Sequence, residues 1–188
     1  MNIRIAKPED APRLREIYAP YVENTAVSFE YVPPTVDEFR GRIEKTLSRY
    51  PYLVAEENGK IIAYAYAAAF HARAAYIHSA EASIYVDGSH HRAGVGRALY
   101  AALEDILLRQ NIYRLYTLVV CAEKYDEYLS DRSVRFHHTM GYETVGVHND
   151  CGYKFGRWYS VMHLEKKLAP VPENPGDFIP FPELCMNE

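Results

Sequence analysis

A chain of 188 residues, 48% hydrophobic and 24% charged, is long enough for one domain with a substantial core. Its net charge of −4 comes from interspersed signs, which points to neither nucleic acid nor an anionic membrane as a partner. MNIRIAKPED carries no apolar run of signal-peptide length and no stretch approaches a membrane span, so a cytoplasmic protein is the expectation.

In chain order, Asn2 to Ala6 alternates like a half-buried strand. Pro8-Glu9-Asp10 then opens a helix that puts Leu14, Ile17, Tyr18 and Tyr21 on one face. A loop through Val27-Ser28-Phe29-Glu30 and Pro33-Pro34 leads to Thr35-x-x-Glu38, a capping box opening a second helix to about Leu47. Phe29 and Glu30 are candidates to line a substrate pocket; equally, Phe29 is a loop aromatic covering the core. Tyr52 to Glu56 and Lys60 to Phe70 flank Asn58-Gly59, the preferred two-residue hairpin turn.

The stretch from Glu81 to Leu108 reads as strand, glycine loop and helix. Two glycines in His91-Arg92-Ala93-Gly94-Val95-Gly96-Arg97, just ahead of a helix, let backbone N–H groups approach an anion, and the helix N-terminus adds partial positive charge. A phosphate or pyrophosphate is the expected ligand, although the glycines of a tight β–α turn can also serve packing alone. Neither GxGxxG nor GxxxxGK[ST] is present. Tyr113 to Val120 is a further strand, Ser133 to Met140 a short helix stopped at Gly141, and Tyr142 to Val147 and Trp158 to Leu164 the last strands. The order β-α-α-β-β-β-α-β-α-β-β gives an α/β (α+β) chain, a mixed sheet with helices on both faces.

Residues 1–168 form one domain in this reading. The tail, 169–188, holds Pro170, Pro172, Pro175, Pro180 and Pro182 and is expected to form no regular helix. It is either disordered or pinned across the body or a neighbouring subunit by Phe178, Ile179, Phe181 and Leu184. Cys121, Cys151 and Cys185 lack metal spacing and read as ordinary thiols. The pairs His90-His91 and His137-His138 point apart and no HExxH accompanies them, so no metal is expected.

The pattern His/Arg-x-x-Gly-x-Gly/Ala after a strand resembles the acetyl-CoA signature of the GCN5-related N-acetyltransferases (GNAT). The stretches Tyr50-Pro51-Tyr52-Leu53-Val54-Ala55-Glu56, Arg73-Ala74-Ala75-Tyr76, Ala80-Glu81-Ala82-Ser83-Ile84-Tyr85-Val86, Ser133-Val134-Arg135-Phe136-His137 and Gly152-Tyr153-Lys154-Phe155-Gly156-Arg157-Trp158 are similar to the phosphinothricin and methionine-sulfoximine acetyltransferases. That resemblance implies the GNAT fold with a mostly antiparallel sheet, acetyl-CoA as cosubstrate, a small-molecule amine as partner and a homodimer. It implies acetyl transfer to the α-amino group of an amino acid or analogue. Two alternatives stay open: a non-catalytic acyl-CoA-binding or regulatory module, and acetylation of a peptide or protein amine.

Residue roles follow from the same resemblance. Glu81 takes the place of the general base; a carboxylate with an ordinary pKa of ~4.3 needs burial or a water relay to serve an amine. Its alternative is a strand-edge carboxylate paired with an arginine such as Arg73. His137 stands where many members carry a tyrosine that protonates the leaving thiolate, and is either that donor or a histidine packed beside the cofactor. Main-chain groups of Ile84, Tyr85 and Val86 hold the thioester and pantetheine. His91, Arg92, Ala93, Gly94, Val95, Gly96 and Arg97 hold the pyrophosphate, with Phe136 alongside. Ser130 and Ser133 stand in for an absent asparagine. Arg73, with Tyr76 beside it, is the expected partner of the acceptor carboxylate, or else a surface ion-pair residue. The loop Ala122 to Leu129 is longer and more acidic than the family's, which implies an effect on specificity.

Overall fold

The computed structural model describes residues 1–90 and 94–186. Strand β1 (Asn2–Ile5) leads through a 3-10 turn at Pro8–Asp10 into α1 (Ala11–Asn24), and α2 (Val36–Leu47) follows. Thr35 Oγ1 accepts the Glu38 N–H at 3.2 Å while the Glu38 carboxylate accepts the Thr35 N–H at 2.7 Å, so the capping box forms in both directions. Strands β2 (Tyr52–Glu57) and β3 (Lys60–Ala69) turn at Asn58 and Gly59, whose φ angles of 51° and 77° are those of a type I′ turn. Then come β4 (Ser79–Val86), α3 (Val95–Arg109), β5 (Arg114–Cys121), α4 (Arg132–Thr139), β6 (Glu143–Lys154), β7 (Arg157–Lys167) and α5 (Phe181–Met186).

The seven strands form one sheet in the order β1-β2-β3-β4-β5-β7-β6, antiparallel at every step except β4–β5. A parallel pair needs a long crossover, and α3 supplies it. In β3 the alternation Ala63-Tyr64-Ala65-Tyr66-Ala67 sorts side chains by face. The alanines, with Leu53 and Ala55 of β2 and Ala80 and Ala82 of β4, meet Leu99, Tyr100, Leu103 and Leu107 of α3. Small side chains there let a helix bearing large ones lie close to the sheet. On the opposite face Tyr52, Val54 and Tyr64 pack against Leu14, Ile17 and Tyr18 of α1 and Phe39 and Ile43 of α2.

Two elements differ from the sequence reading. Strand β6 does not stop at Val147 but continues to Lys154, because the polar stretch at 148–151 is absorbed as an irregularity between His148 and Gly152, with Asp150 at φ 47°. Phe155 and Gly156, at φ 52° and 76°, then close a tight hairpin to β7. The tail does contain a helix, α5, since Pro182 falls in its first turn, where no intrahelical N–H bond is lost. It is also tied down: Ile179 N–H donates to Gln110 O at 3.3 Å, Phe181 N–H to Arg49 O at 3.1 Å, and Phe178 lies 5.6 Å from the Tyr50 ring.

Candidate active site

Pairing of β4 with β5 covers only Ser79↔Arg114, Ala80↔Leu115 and Glu81↔Tyr116, after which the two strands part. The opening, of about 50 Å³, is lined by Ser83, Ile84, Thr117, Val119, Ser133 and His137. Asp87 N–H donates to Ile62 O, so by alternation the amide groups of Ile84 and Val86 turn away from β3 and toward this opening. The Tyr21 hydroxyl already meets those of Val86, donating to its carbonyl at 2.5 Å and accepting from its N–H at 3.4 Å. The side chain of Tyr85 points to the other face, edge-on to Tyr18 and Tyr21 at 4.8 and 5.3 Å.

The two glycines of the loop do different work. Gly94, the N-cap residue of α3, is left-handed at φ 75°, and a Cβ there would meet nothing within 4 Å, so it supplies conformation and leaves open space. At Gly96 a Cβ would lie 3.0 Å from the Phe136 ring and 3.4 Å from Ile84, so it serves close packing of α3 against α4 and β4. Val95 is buried and Arg97 exposed. His91, Arg92 and Ala93 lie outside the described residues. Ser133 lines the opening, whereas Ser130 is exposed on the preceding loop.

His137 is 3% exposed and both its nitrogens are engaged. Nδ1 lies 2.7 Å from Ser133 O, which only accepts, so Nδ1 carries the proton; Nε2, 3.0 Å from the Tyr100 hydroxyl, is then the acceptor. Burial drives its pKa down to about 4, the bond to Ser133 opposing and His138 adding to the fall. The imidazole is neutral near pH 7, with its N–H turned into its own helix. Of the two readings of His137, this arrangement favours the packed histidine over the proton donor.

Glu81 sits on the opposite face of β4 from α3, in line with Ser83 and Tyr85. Burial raises its pKa, and His71 pulls it back. Arg73 forms no ion pair among the described residues, so the Glu81–Arg73 pairing is not formed; Arg73 is exposed, at the start of the 3-10 turn Ala74–Tyr76. Tyr76 meets His71 at 4.8 Å and Phe70 at 5.7 Å, and Phe70 stacks at 4.0 Å on Tyr116, the register partner of Glu81. Arg73 and Tyr76 therefore belong to the segment that overhangs Glu81.

Beside Glu81, across Ala68 of β3, lies a cavity of about 450 Å³ between α2 and strands β2 to β4. Tyrosines form its floor and Arg42, Lys45 and Arg49 its rim. The Tyr66 hydroxyl is held neutral by burial, with Ser83 as a hydrogen-bond partner, and feels the charges of Glu81, Arg42 and Glu30. Arg42 pairs with Glu30 at 2.8 Å. Phe29 lies instead on Gly152 of β6, where a Cβ would come within 2.2 Å of its ring. Arg42 and the tyrosine floor escape sequence reading, because an arginine on the polar face of a capped helix looks like any solvated charge.

The loop carrying Phe29 and Glu30 is held from beneath. Lys154, 3% exposed, donates from Nζ to the carbonyls of Val22, Thr25 and Ser28 at 2.7, 2.9 and 2.6 Å. A cation satisfying carbonyls at the negative end of α1 is favoured doubly, by hydrogen bonds and by the helix dipole. Burial lowers the lysine's pKa and Glu30 opposes that. The acidic loop 122–129 uses its charges on β7: Arg157 pairs with Asp126 at 2.8 Å and with Glu127 at 2.9 Å, while Tyr128 stacks on Phe155 at 4.2 Å. Those carboxylates support the hairpin.

Residues 3–163 match the Acetyltransferase (GNAT) domain family. A phosphinothricin N-acetyltransferase from Streptomyces viridochromogenes is 32% identical over 93% of this chain and 92% of its own length. Another from Alcaligenes faecalis is 34% identical, over 89% and 82% respectively. The crystal structure of a GNAT superfamily phosphinothricin acetyltransferase from Sinorhizobium meliloti in complex with AcCoA superposes with a TM-score of 0.81 at 28% identity, covering 97% of this chain and 96% of that one.

Proposed function

We propose, from the premise that this chain belongs to the GNAT acetyltransferase family, that it acetylates the primary amine of a small amino acid or analogue of the phosphinothricin or methionine-sulfoximine type. Acetyl-CoA is the cosubstrate. The observation that carries the acceptor side is Glu81, raised by burial and standing between the β4–β5 opening and the tyrosine cavity. Glu81 takes one proton from the acceptor ammonium, directly or through a water; the freed lone pair forms the C–N bond, and as the C–S bond breaks the nitrogen's second proton passes to the departing thiolate, leaving the amide and the coenzyme A thiol. Ile84 N–H donates to the thioester oxygen as negative charge builds there. Gly94 and the first turn of α3 receive the pyrophosphate, together with His91 and Arg92. Arg73 holds the acceptor carboxylate, Tyr76 covers it, and His137 orients Tyr100 and Ser133 beside the leaving thiolate.

A thiol-release screen with acetyl-CoA tests the reading. Amino acids, phosphinothricin and methionine sulfoximine are expected to turn over, and polyamines and aminoglycosides are not. Turnover confined to the latter, or none with tight acetyl-CoA binding, overturns it.

The protein is cytoplasmic and a homodimer in this reading. Support for the dimer comes from Val145, Val147, Tyr153 and Trp158, large apolar residues exposed on the β6–β7 hairpin. Sedimentation is expected to give twice the chain mass of 21.6 kDa, and a monomer at micromolar concentration would refute it.

A further inference from the structure

The tail after β7 runs back along the body, and its firmest grip is on one turn. Arg114 Nη1 donates to Ala169 O at 2.9 Å and Asn111 Nδ2 to Asp177 O at 2.7 Å, which fastens the tail to the α3–β5 connection and the start of β5. Gln110, fully buried at the end of α3, then joins the tail to a third element. Its Nε2 donates to Ile179 O at 2.8 Å and to Arg49 O at 2.9 Å, so one amide bridges the tail and the turn between α2 and β2. Its Oε1 meets no donor among the described residues, a cost offset by the two bonds of the amide nitrogen.

The tail's own groups converge on the same turn. Phe181 N–H donates to the Arg49 carbonyl at 3.1 Å, and the Phe181 side chain is buried. Phe178 lies on the ring of Tyr50, and the Arg49 guanidinium carbon stands 4.7 Å from the centre of the Phe178 ring. Arg49 forms no ion pair among the described residues. Within the turn itself, the Arg49 and Tyr50 N–H groups donate to Thr46 O at 3.0 and 2.7 Å, which fixes backbone and leaves the arginine side chain to find its partner elsewhere. That partner is the tail. Ser48, Arg49 and Tyr50 all line the tyrosine cavity, so a segment remote from Glu81 holds part of the cavity's rim.

We infer that the tail is a positioning element for the acceptor side: through Phe178 and Gln110 it holds Arg49 and its turn in the shape in which the cavity receives an acceptor. The inference rests on the N-acetyltransferase reading, with the acceptor entering this cavity, and adds a distant segment to it. Phe178 and Gln110 act through Arg49 and touch none of the reacting atoms. An Arg49 side chain left free to rotate has to be ordered by each acceptor as it enters, and that cost falls on KM, not on the chemical step.

Steady-state kinetics with methionine sulfoximine test this in the full chain, comparing the wild type with Phe178→Leu, Gln110→Met, Arg49→Gln and Phe178→Leu combined with Arg49→Gln. Phe178→Leu keeps an apolar side chain and loses the ring face. It is expected to raise the acceptor KM about 2- to 10-fold, the cost of immobilising one long side chain, while kcat changes by less than about 2-fold. Acetyl-CoA affinity, read by calorimetry, should stay the same. Gln110→Met, which cuts the bridge from the α3 side, should act in the same sense. In the Arg49→Gln background Phe178→Leu should add nothing, because its effect passes through Arg49. A fall in melting temperature with the acceptor KM unchanged, a loss shared with acetyl-CoA affinity, or additive losses in the double variant overturns the inference. Should no acceptor turn over, the enzymatic reading fails separately, and amide hydrogen exchange still decides on the tail: faster exchange at residues 49 and 50 in Phe178→Leu supports its hold on the turn, and exchange equal to the wild type removes it.

Discussion

Replacing Glu81 by Gln is expected to lower kcat/KM for amine acetylation by about 10²–10⁴-fold, the range a positioned general base contributes. Gln keeps the shape and loses the proton acceptor. In the wild type, activity should climb as Glu81 ionises, and since burial raises its pKa, the midpoint of that acid limb should lie above the ordinary carboxylate range. His71 opposes the rise, so His71→Gln should move the limb to still higher pH. Fold and acetyl-CoA affinity should survive in Glu81→Gln, because Glu81 forms no ion pair among the described residues. A variant with unchanged kcat and an unchanged pH profile would exclude Glu81 as the base.

At the other side of the sheet, acid should destabilise the protein through His137. The folded imidazole takes a proton only near pH 4, the unfolded one near 6.5. Above pH 6.5 neither state is protonated and the contribution of the neutral, doubly hydrogen-bonded ring is complete. As pH falls from 6.5 toward 4 the unfolded chain binds a proton that the folded chain refuses, and stability is lost. At ~1.4 kcal/mol per pH unit the interval amounts to about 3 kcal/mol. Urea unfolding of the wild type and His137→Gln at pH 7 and pH 4.5 isolates this effect from the acid response of the carboxylates. The wild type's advantage at pH 7 should shrink by about 2 kcal/mol at pH 4.5. An advantage that stayed constant would show that His137 is not held neutral by the fold.

Most of the element order was legible because local chemistry and tertiary structure agree. Asn58-Gly59 adopts the positive φ angles its residues favour, and Thr35 with Glu38 closes a cap within four residues. Reading failed where long-range packing overrides local preference. The stretch at 148–151 looks like a strand end, yet pairing with β7 carries the chain through it. Pro182 looks like a helix breaker, yet in the first turn it is harmless. Within the site, Glu81 and the glycine loop could be read because a strand-turn-helix pattern places them. Arg42 could not, since its meaning comes from three strands and a helix distant in sequence. Lys154 was visible only as part of a motif, and its three carbonyl partners lie more than a hundred residues earlier.

The brief β4–β5 pairing also has a mechanical side. Three register pairs join a four-stranded half, β1 to β4, to a three-stranded half, β5 to β7. Two further ties span that narrow join: the core under α3 draws on Ala80 and Ala82 from the first half and on Leu115, Val119 and Leu164 from the second, and Lys154, rooted in β6, grips the end of α1, which packs on the first half. In the proposed reading a pantetheine arm enters between halves already tied on both faces, with little ordering left to be done on binding.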